Sequence, residues 1–327
     1  MCTAITYKTK AHYFGRNLDY EFSYDERVTI TPRNFGFLFR KMGMLKSHYA
    51  MIGMAYVVND YPLYYDGTNE RGVSMAGLLF QGNAEYRPYV EGKHNIAPFE
   101  LIPWVLGQCA SITEVKNLLK KINIWKEPFS KELPLSPLHW MISDKETSIV
   151  LEVTREGMKI YENPMGVLTN NPPFAGQMFH LNQFMNLSSE EPKTRFGNEK
   201  CGLNLKVYSR GMGAIGLPGD LSSMSRFVKA AFTRCNAVSG NSEMESVSQF
   251  FHILKSVEQQ RGCVHMGNGQ YELTIYSSCC NTDRGIYYYI MYENSRICAV
   301  DMWKEDLDGC ELICYPLKKE QDVCFQN

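Results

Sequence analysis

A cysteine in second position, "MCTAITY", followed by an arginine and an aspartate in "FGRNLD", brings together the groups of a self-contained nucleophile. Cysteine is small, so an aminopeptidase is expected to remove Met1 and leave Cys2 carrying both a thiol and a free α-amine. The amine has an ordinary pKa of about 7.7 to 8.0, so part of it is neutral near pH 7 and takes the thiol proton directly or through water. No histidine partner is needed. None of the seven histidines stands in a recognisable catalytic signature, and His139 in "LHWMI" reads as a satisfied core residue of a strand. If "CTAITY" and "HYFGRN" pair through a turn at 8–11, Arg16 and Asp19 return to the neighbourhood of Cys2. There a guanidinium favours the thiolate and a carboxylate orients the amine. Position alone also permits a plainer reading, with Cys2 an early strand residue and "RNLD" a surface charge pair.

The elements that must hold these groups are legible in outline. "CTAITY", "HYFGRN", "RVTITP", "YAMIGMAYV" and "GVSMAGLLF" read as strands joined by short polar turns, which implies antiparallel pairing. Helical patterns follow in "APFELIPWVLGQC" and "SITEVKNLLKKI", where Ser111 and Glu114 fit a capping box. A meander of "LHWMIS", "SIVLEVT" and "MKIYEN" comes next, then "SMSRFVKAAFTRC" and "EMESVSQFFHILKSVEQQ" as helices. The last strands are "YELTIYSS", "GIYYYIMYEN", "RICAVDMW" and "ELICYPL". Alternating blocks of strands and helices predict an α+β domain of sheets covered by helices, spanning 1–327 without a linker. Residues 186–216 carry little periodicity and read as a long functional or partner-contacting loop.

Composition narrows the function classes. The 327 residues include 34 basic and 35 acidic side chains, with no long run of either sign, so neither nucleic acid nor an anionic membrane is expected as a partner. The N-terminus lacks the pattern of a secretory signal, and "IAPFELIPWVL" is interrupted by Glu100 and far short of a spanning helix; a cytoplasmic protein is expected. Eleven cysteines, an odd number scattered along the chain, then read as free thiols. No CxxC or HExxH pattern occurs, so neither a metal nor another cofactor is expected.

The segments "MCTAI", "FGRNLD", "ITPRNF", "NDYPLYYDGTNERGVSMAGL", "LHWMISD", "GVLTNNP" and "GLPGDLSSMSRFVKAAF" together resemble the choloylglycine hydrolase family, which includes conjugated bile salt hydrolases and penicillin V acylases. The resemblance runs from Cys2 to "YYYIMYEN". It implies an N-terminal-nucleophile hydrolase fold, a four-layer αββα sandwich, and hydrolysis of a carboxamide through a thioester on Cys2. Carried over residue by residue, it places Arg16 and Asp19 beside Cys2, makes Asn170 an oxyanion donor, and puts Arg226 in the catalytic network. It also implies a homotetramer, with the 186–216 loop reaching a neighbouring subunit.

One position departs. Related bile salt hydrolases usually read "AGLNF", and this chain reads "AGLLF", so Leu79 offers only its backbone N–H to the oxyanion. Tyr20 and Phe22, with Tyr61, Leu63 and Tyr64 of "DYPLYYDG", are expected on loops lining an apolar pocket suited to a steroid. Ser209 and Arg210 before "GLPGD" are expected near the anionic end of a conjugated bile salt, where a many-donor side chain favours a taurine sulfonate. Bile salt hydrolysis is the leading reading; penicillin V or another N-acyl amide as substrate, or a binding protein that has lost activity through Leu79, remain open alternatives.

Overall fold

The computed structural model describes residues 1–197 and 201–327. Strand β1 (Cys2–Lys8) turns at 9–11 into β2 (His12–Tyr20), with Lys8 opposite His12 and Cys2 opposite Leu18. This hairpin lies inside a six-stranded sheet. In order across it run Val167–Leu168, β1, β2, Leu273–Asn281, Ile286–Met291 and Cys298–Asp301.

An eight-stranded sheet faces it, ordered Gly157–Glu162, Ser148–Thr154, Leu138–Ser143, Ser74–Leu79, Tyr61–Asn69, Met51–Val58, Arg27–Thr31 and Ile313–Pro316. Every pairing in both sheets is antiparallel. Strands such as Leu273–Asn281, buried at every position, are covered on both faces.

Helix α1 (Leu101–Leu106) and α2 (Ile112–Leu119) cover the outer face of the larger sheet, and the short helix α3 (Phe174–His180) follows the end strand Val167–Leu168. The long helices α4 (Ser223–Asn236) and α5 (Glu243–Lys255) cover the outer face of the smaller sheet. Phe227, Phe250 and Leu254 join Ile5 and Tyr13 in one core there. Between the sheets, Ala4 meets Ala76 and Leu78. The order helix, sheet, sheet, helix is the expected αββα sandwich, and it buries strand β1 centrally.

Several expectations need adjustment. The stretch containing Tyr61, Leu63 and Tyr64 is a strand, because its β-branched and aromatic neighbours complete the ladder between Met51–Val58 and Ser74–Leu79. The first helical pattern is broken by Pro98 and Pro103 into a 3₁₀ turn, Pro98–Glu100, and the six-residue α1. Ser111 caps α2 by accepting from the Glu114 N–H at 3.3 Å, whereas the Glu114 carboxylate reaches back to Ala110. Of the 186–216 loop, residues 198–200 lie outside the described residues; most of the remainder is exposed.

Candidate active site

Register on the first hairpin decides which side chains meet Cys2. Directly opposed residues of an antiparallel pair point to one face, so Cys2, Leu18, Ala4 and Arg16 share the face toward the larger sheet. Thr3 and Asp19 project from the other face, toward α4. Arg16 and Asp19 thus reach the cysteine from opposite sides of the sheet, a refinement of the simple hairpin picture.

Beneath Cys2, the Arg16 guanidinium donates to the carbonyls of Gly77 at 2.5 Å and Tyr65 at 3.0 Å, while its Nη2 has no hydrogen-bond partner. Asp66 stands close by, held by the Tyr287 hydroxyl at 2.6 Å and the Ser278 hydroxyl at 2.8 Å. On the α4 side, Asp19 accepts from the Thr274 hydroxyl at 2.6 Å, and its other oxygen lies 3.8 Å from Arg226. Arg226 is fully buried, because the first turn of α4 points it inward. It donates to the Cys2 carbonyl at 2.7 Å, the Thr3 hydroxyl at 2.6 Å and Asn170 Oδ1 at 2.8 Å.

Asn170 joins the two halves. Its Oδ1 also accepts the Cys2 N–H at 2.8 Å, and its Nδ2 donates one hydrogen to the Leu79 carbonyl at 2.7 Å. The second Nδ2 hydrogen is available to a ligand. Strand alternation supplies another donor. The Phe80 N–H bonds to the Pro137 carbonyl, so the Leu79 N–H and carbonyl both lie on the opposite edge, the one facing Asn170 and Cys2. Leucine at 79 therefore leaves a main-chain donor on the edge that meets Asn170.

The charges are tightly balanced. Burial works against the Arg16 guanidinium, yet Cys2, Tyr276, Asp66 and Asp19 together hold it more firmly protonated than usual. Burial lowers Arg226, with Asp19 and Cys2 opposing. Burial raises the Asp19 carboxyl, with Arg226 and the terminal amine opposing. The Met1 amine, ion-paired with Glu272, is lowered by burial against the pull of Cys2 and Asp19.

Cys2 opens onto a cavity of about 380 Å³. Tyr20, Phe22, Leu63 and Tyr64 border it, as expected, and Phe22, Tyr24 and Tyr56 form a line of ring contacts along one wall. Tyr61 does not border it, because the rings of Phe99 and Phe129 stand in front at 5.9 and 5.8 Å. Ser209 and Arg210 do not border it either. Both are exposed on the long loop, and the Ser209 hydroxyl turns to the Arg210 carbonyl. The sequence reading also missed one whole wall, the proline-rich run 127–138. Its signal was apolar residues alternating with prolines in "EPFSKELPLSPL", a segment too stiff to be a free loop. Among the described residues no cluster of His, Cys, Asp or Glu is arranged to hold a metal ion, and no helix is long and apolar enough to cross a membrane.

Comparison with known proteins was made against this geometry. A sequence model of the linear amide C–N hydrolases, choloylglycine hydrolase family, matches residues 2–315. The chain is 57% identical to a bile salt hydrolase/transferase of Lactiplantibacillus plantarum and 39% identical to one of Clostridium perfringens, each over the full length of both chains. A crystal structure of a mutant conjugated bile acid hydrolase from Clostridium perfringens superposes with a TM-score of 0.91 at 38% identity, covering all of both chains. Penicillin V acylase from Agrobacterium tumefaciens matches with a TM-score of 0.73 at 19% identity, over 96% of this chain and 91% of that one, a likeness of fold alone.

Proposed function

The chain belongs to the choloylglycine hydrolase family of linear amide C–N hydrolases, and from that premise we propose that it hydrolyses the amide bond of glycine- and taurine-conjugated bile salts with Cys2 as nucleophile. The observation that carries the reading is the position of the Cys2 backbone nitrogen, 2.8 Å from Asn170 Oδ1 at the mouth of an aromatic-walled cavity.

Removal of Met1 turns that nitrogen into a primary amine. It accepts the thiol proton, and the thiolate attacks the substrate carbonyl. The resulting oxyanion is met by the spare Nδ2 hydrogen of Asn170 and the Leu79 N–H. Collapse of the tetrahedral intermediate breaks the C–N bond. The departing glycine or taurine nitrogen takes the proton from the ammonium and leaves a bile acyl thioester. Water then attacks the thioester, giving its proton to the same amine, and the second collapse releases the bile acid and returns the proton to sulfur. An amine arriving in place of water would yield a new conjugate by the same balance, in keeping with the double name of the relatives.

Arg16 supports the thiolate from below, and Arg226 fixes the Cys2 carbonyl and Asn170 while Asp19 balances it. A rigid steroid suits the cavity, whose walls are mostly apolar, with few polar groups fixing orientation. The preference for taurine over glycine has no contact supporting it within one chain, since Ser209 and Arg210 stand away from the cavity. The exposed apolar side chains from 179 to 215 support self-association, for which we propose the homotetramer.

Turnover of taurocholate, glycocholate and penicillin V, measured side by side, tests the substrate class. Bile salts should be cleaved with kcat/KM well above that for penicillin V. A reversed order would move the chain to the penicillin acylases, and turnover of none would leave a binding protein.

A further inference from the structure

A buried histidine outside the mechanism above is bonded on both sides to acceptors. His139, on the strand Leu138–Ser143, is completely buried, with the Phe80 ring stacked flat on it at 4.3 Å. Its Nε2 lies 2.8 Å from the Thr169 carbonyl oxygen, which can only accept. Its Nδ1 lies 3.2 Å from Glu152 Oε1 on the neighbouring strand. That same Oε1 accepts the Phe174 N–H at 2.8 Å, so it is not the hydroxyl oxygen of a protonated carboxyl, a poor acceptor, and a proton on the buried Oε2 would have no acceptor, because that atom has no hydrogen-bond partner.

A neutral imidazole carries one N–H and can satisfy one such partner. Two acceptors require two N–H groups. From this geometry we infer that His139 is held as an imidazolium, ion-paired with the Glu152 carboxylate, and that it is a positioning residue for the oxyanion donor Asn170. Glu152 is 1% exposed and is the acidic group bonded to the ring, the Phe80 ring and the Thr169 carbonyl also lie against the imidazole, and Lys159 stands opposite Glu152 on the next strand, with Tyr161 beside it.

Thr169 is the residue immediately before Asn170 and lies just beyond the end strand of the smaller sheet, whereas His139 and Glu152 belong to the larger one. The charged bond therefore ties the Asn170 loop to the sheet that also contributes Leu79. Gln177 and Ser223 hold the same loop from the helical side, through the Asn170 carbonyl and N–H. Held from both directions, the Asn170 amide keeps its bonds to Cys2, Leu79 and Arg226 in one geometry. Charge-assisted hydrogen bonds are shorter and roughly twice as strong as neutral ones, which suits a contact that fixes a catalytic amide from behind.

The inference rests on the reading of Cys2 and Asn170 as the reacting centre, and its first test needs no substrate. Two-dimensional ¹⁵N spectra of histidine-labelled protein, assigned with the His139→Gln variant, should show both ring nitrogens of His139 protonated at pH 7.5. One protonated and one bare nitrogen at that pH overturns the assignment of charge. If His139→Gln does not fold, the Glu152→Gln variant provides the assignment by perturbing the same ring.

The second test is kinetic. Glu152→Gln preserves shape but removes the anion, and should lower kcat on glycocholate about tenfold while KM stays within about threefold. The ¹⁵N spectrum of the variant should show a neutral ring. Unchanged kcat alongside a neutral ring would overturn the positioning role. Absence of turnover in the parent protein would instead count against the substrate reading and leave the nitrogen spectra to decide the charge.

Discussion

Three groups around the thiol separate chemistry from support. Cys2→Ala should retain the fold and lose turnover, and Cys2→Ser should lose several orders of magnitude, since a hydroxyl ionises far less readily than a thiol. Intact-mass measurement of the active protein should show Met1 absent. If Asn170 is the oxyanion donor proposed above, Asn170→Ala should cost about 10² to 10³ in kcat, about 3 kcal/mol of barrier, with KM little changed. The same variant strips an acceptor from Arg226 and Cys2, so its unfolding midpoint should be compared with that of Asn170→Asp, which keeps an acceptor but adds charge. Leu79→Asn is expected to leave kcat within about tenfold, because the backbone N–H lies on the edge that meets Asn170 whatever the side chain; a rise of several hundredfold would favour the binding-protein reading. If the Cys2 amine bared by loss of Met1 is the base, the acid limb of kcat/KM should follow a group near the ordinary α-amino value of about 7.7 to 8.0, or below it where burial disfavours the charged form. A limb well above pH 8 would exclude that amine as base.

The hairpin of β1 and β2 depends on features remote from the thiol. Gly15, next to Arg16, lies so close to the adjoining strand that a Cβ there would meet the Ser278 carbonyl oxygen at 2.0 Å. Gly15→Ala must push these strands apart, and it should cost both thermal stability and activity, by displacing Arg16. At the turn, His12 is pushed down to about 4 from 6.5 by burial, against the opposing pull of Asp283 and Asp144. A depressed histidine is neutral when folded, so its contribution is complete above about pH 6.5 and is lost as the pH falls toward 4. The shift corresponds to about 3 kcal/mol. Urea denaturation at pH 7.5 and 4.5 should show a smaller loss for His12→Asn than for the parent protein; equal losses would place the acid sensitivity elsewhere.

The molecule as a whole presents apolar surface that one chain does not bury. Phe179, Met185 and Tyr208 are 76%, 87% and 83% exposed, and Ile215 lies beyond them. Self-association is where large exposed apolar side chains of this number on one stretch of chain would be covered. Sedimentation velocity should find an assembly larger than a monomer, and Met185→Glu together with Tyr208→Glu should reduce it. If both remain monomeric, the homotetramer fails. Replacing Ser209 and Arg210 by glycine and alanine asks whether assembly brings them to a neighbour's cavity. A shift of about tenfold in the taurocholate to glycocholate ratio of kcat/KM would indicate that it does, and no shift would return Arg210 to the solvent.

Local rules gave sheets covered by helices and a candidate nucleophile, while the four-layer order came from the resemblance. Alternation of apolar residues specifies strands, and Gly-free amphipathic runs specify α4 and α5, whatever lies around them. A cysteine able to become the N-terminus brings its base with it, so Cys2 could be read from type and position, with Arg16 and Asp19 following from hairpin register. The relation of Asn170 and Arg226 to Cys2 was not local: 168 and 224 residues separate them in the chain, and resemblance alone suggested it. What only the tertiary structure decided was the placement of groups by contacts between distant elements. Tyr61 is screened by rings from 99 and 129, the proline-rich run 127–138 walls the cavity, and Leu79 directs its N–H by the parity of a ladder with Leu138–Ser143. The charge on His139 belongs there too. A single histidine in a strand pattern looks inert until folding sets a carboxylate and a carbonyl against its two nitrogens, because protonation is fixed by hydrogen-bond partners that sequence spacing does not name.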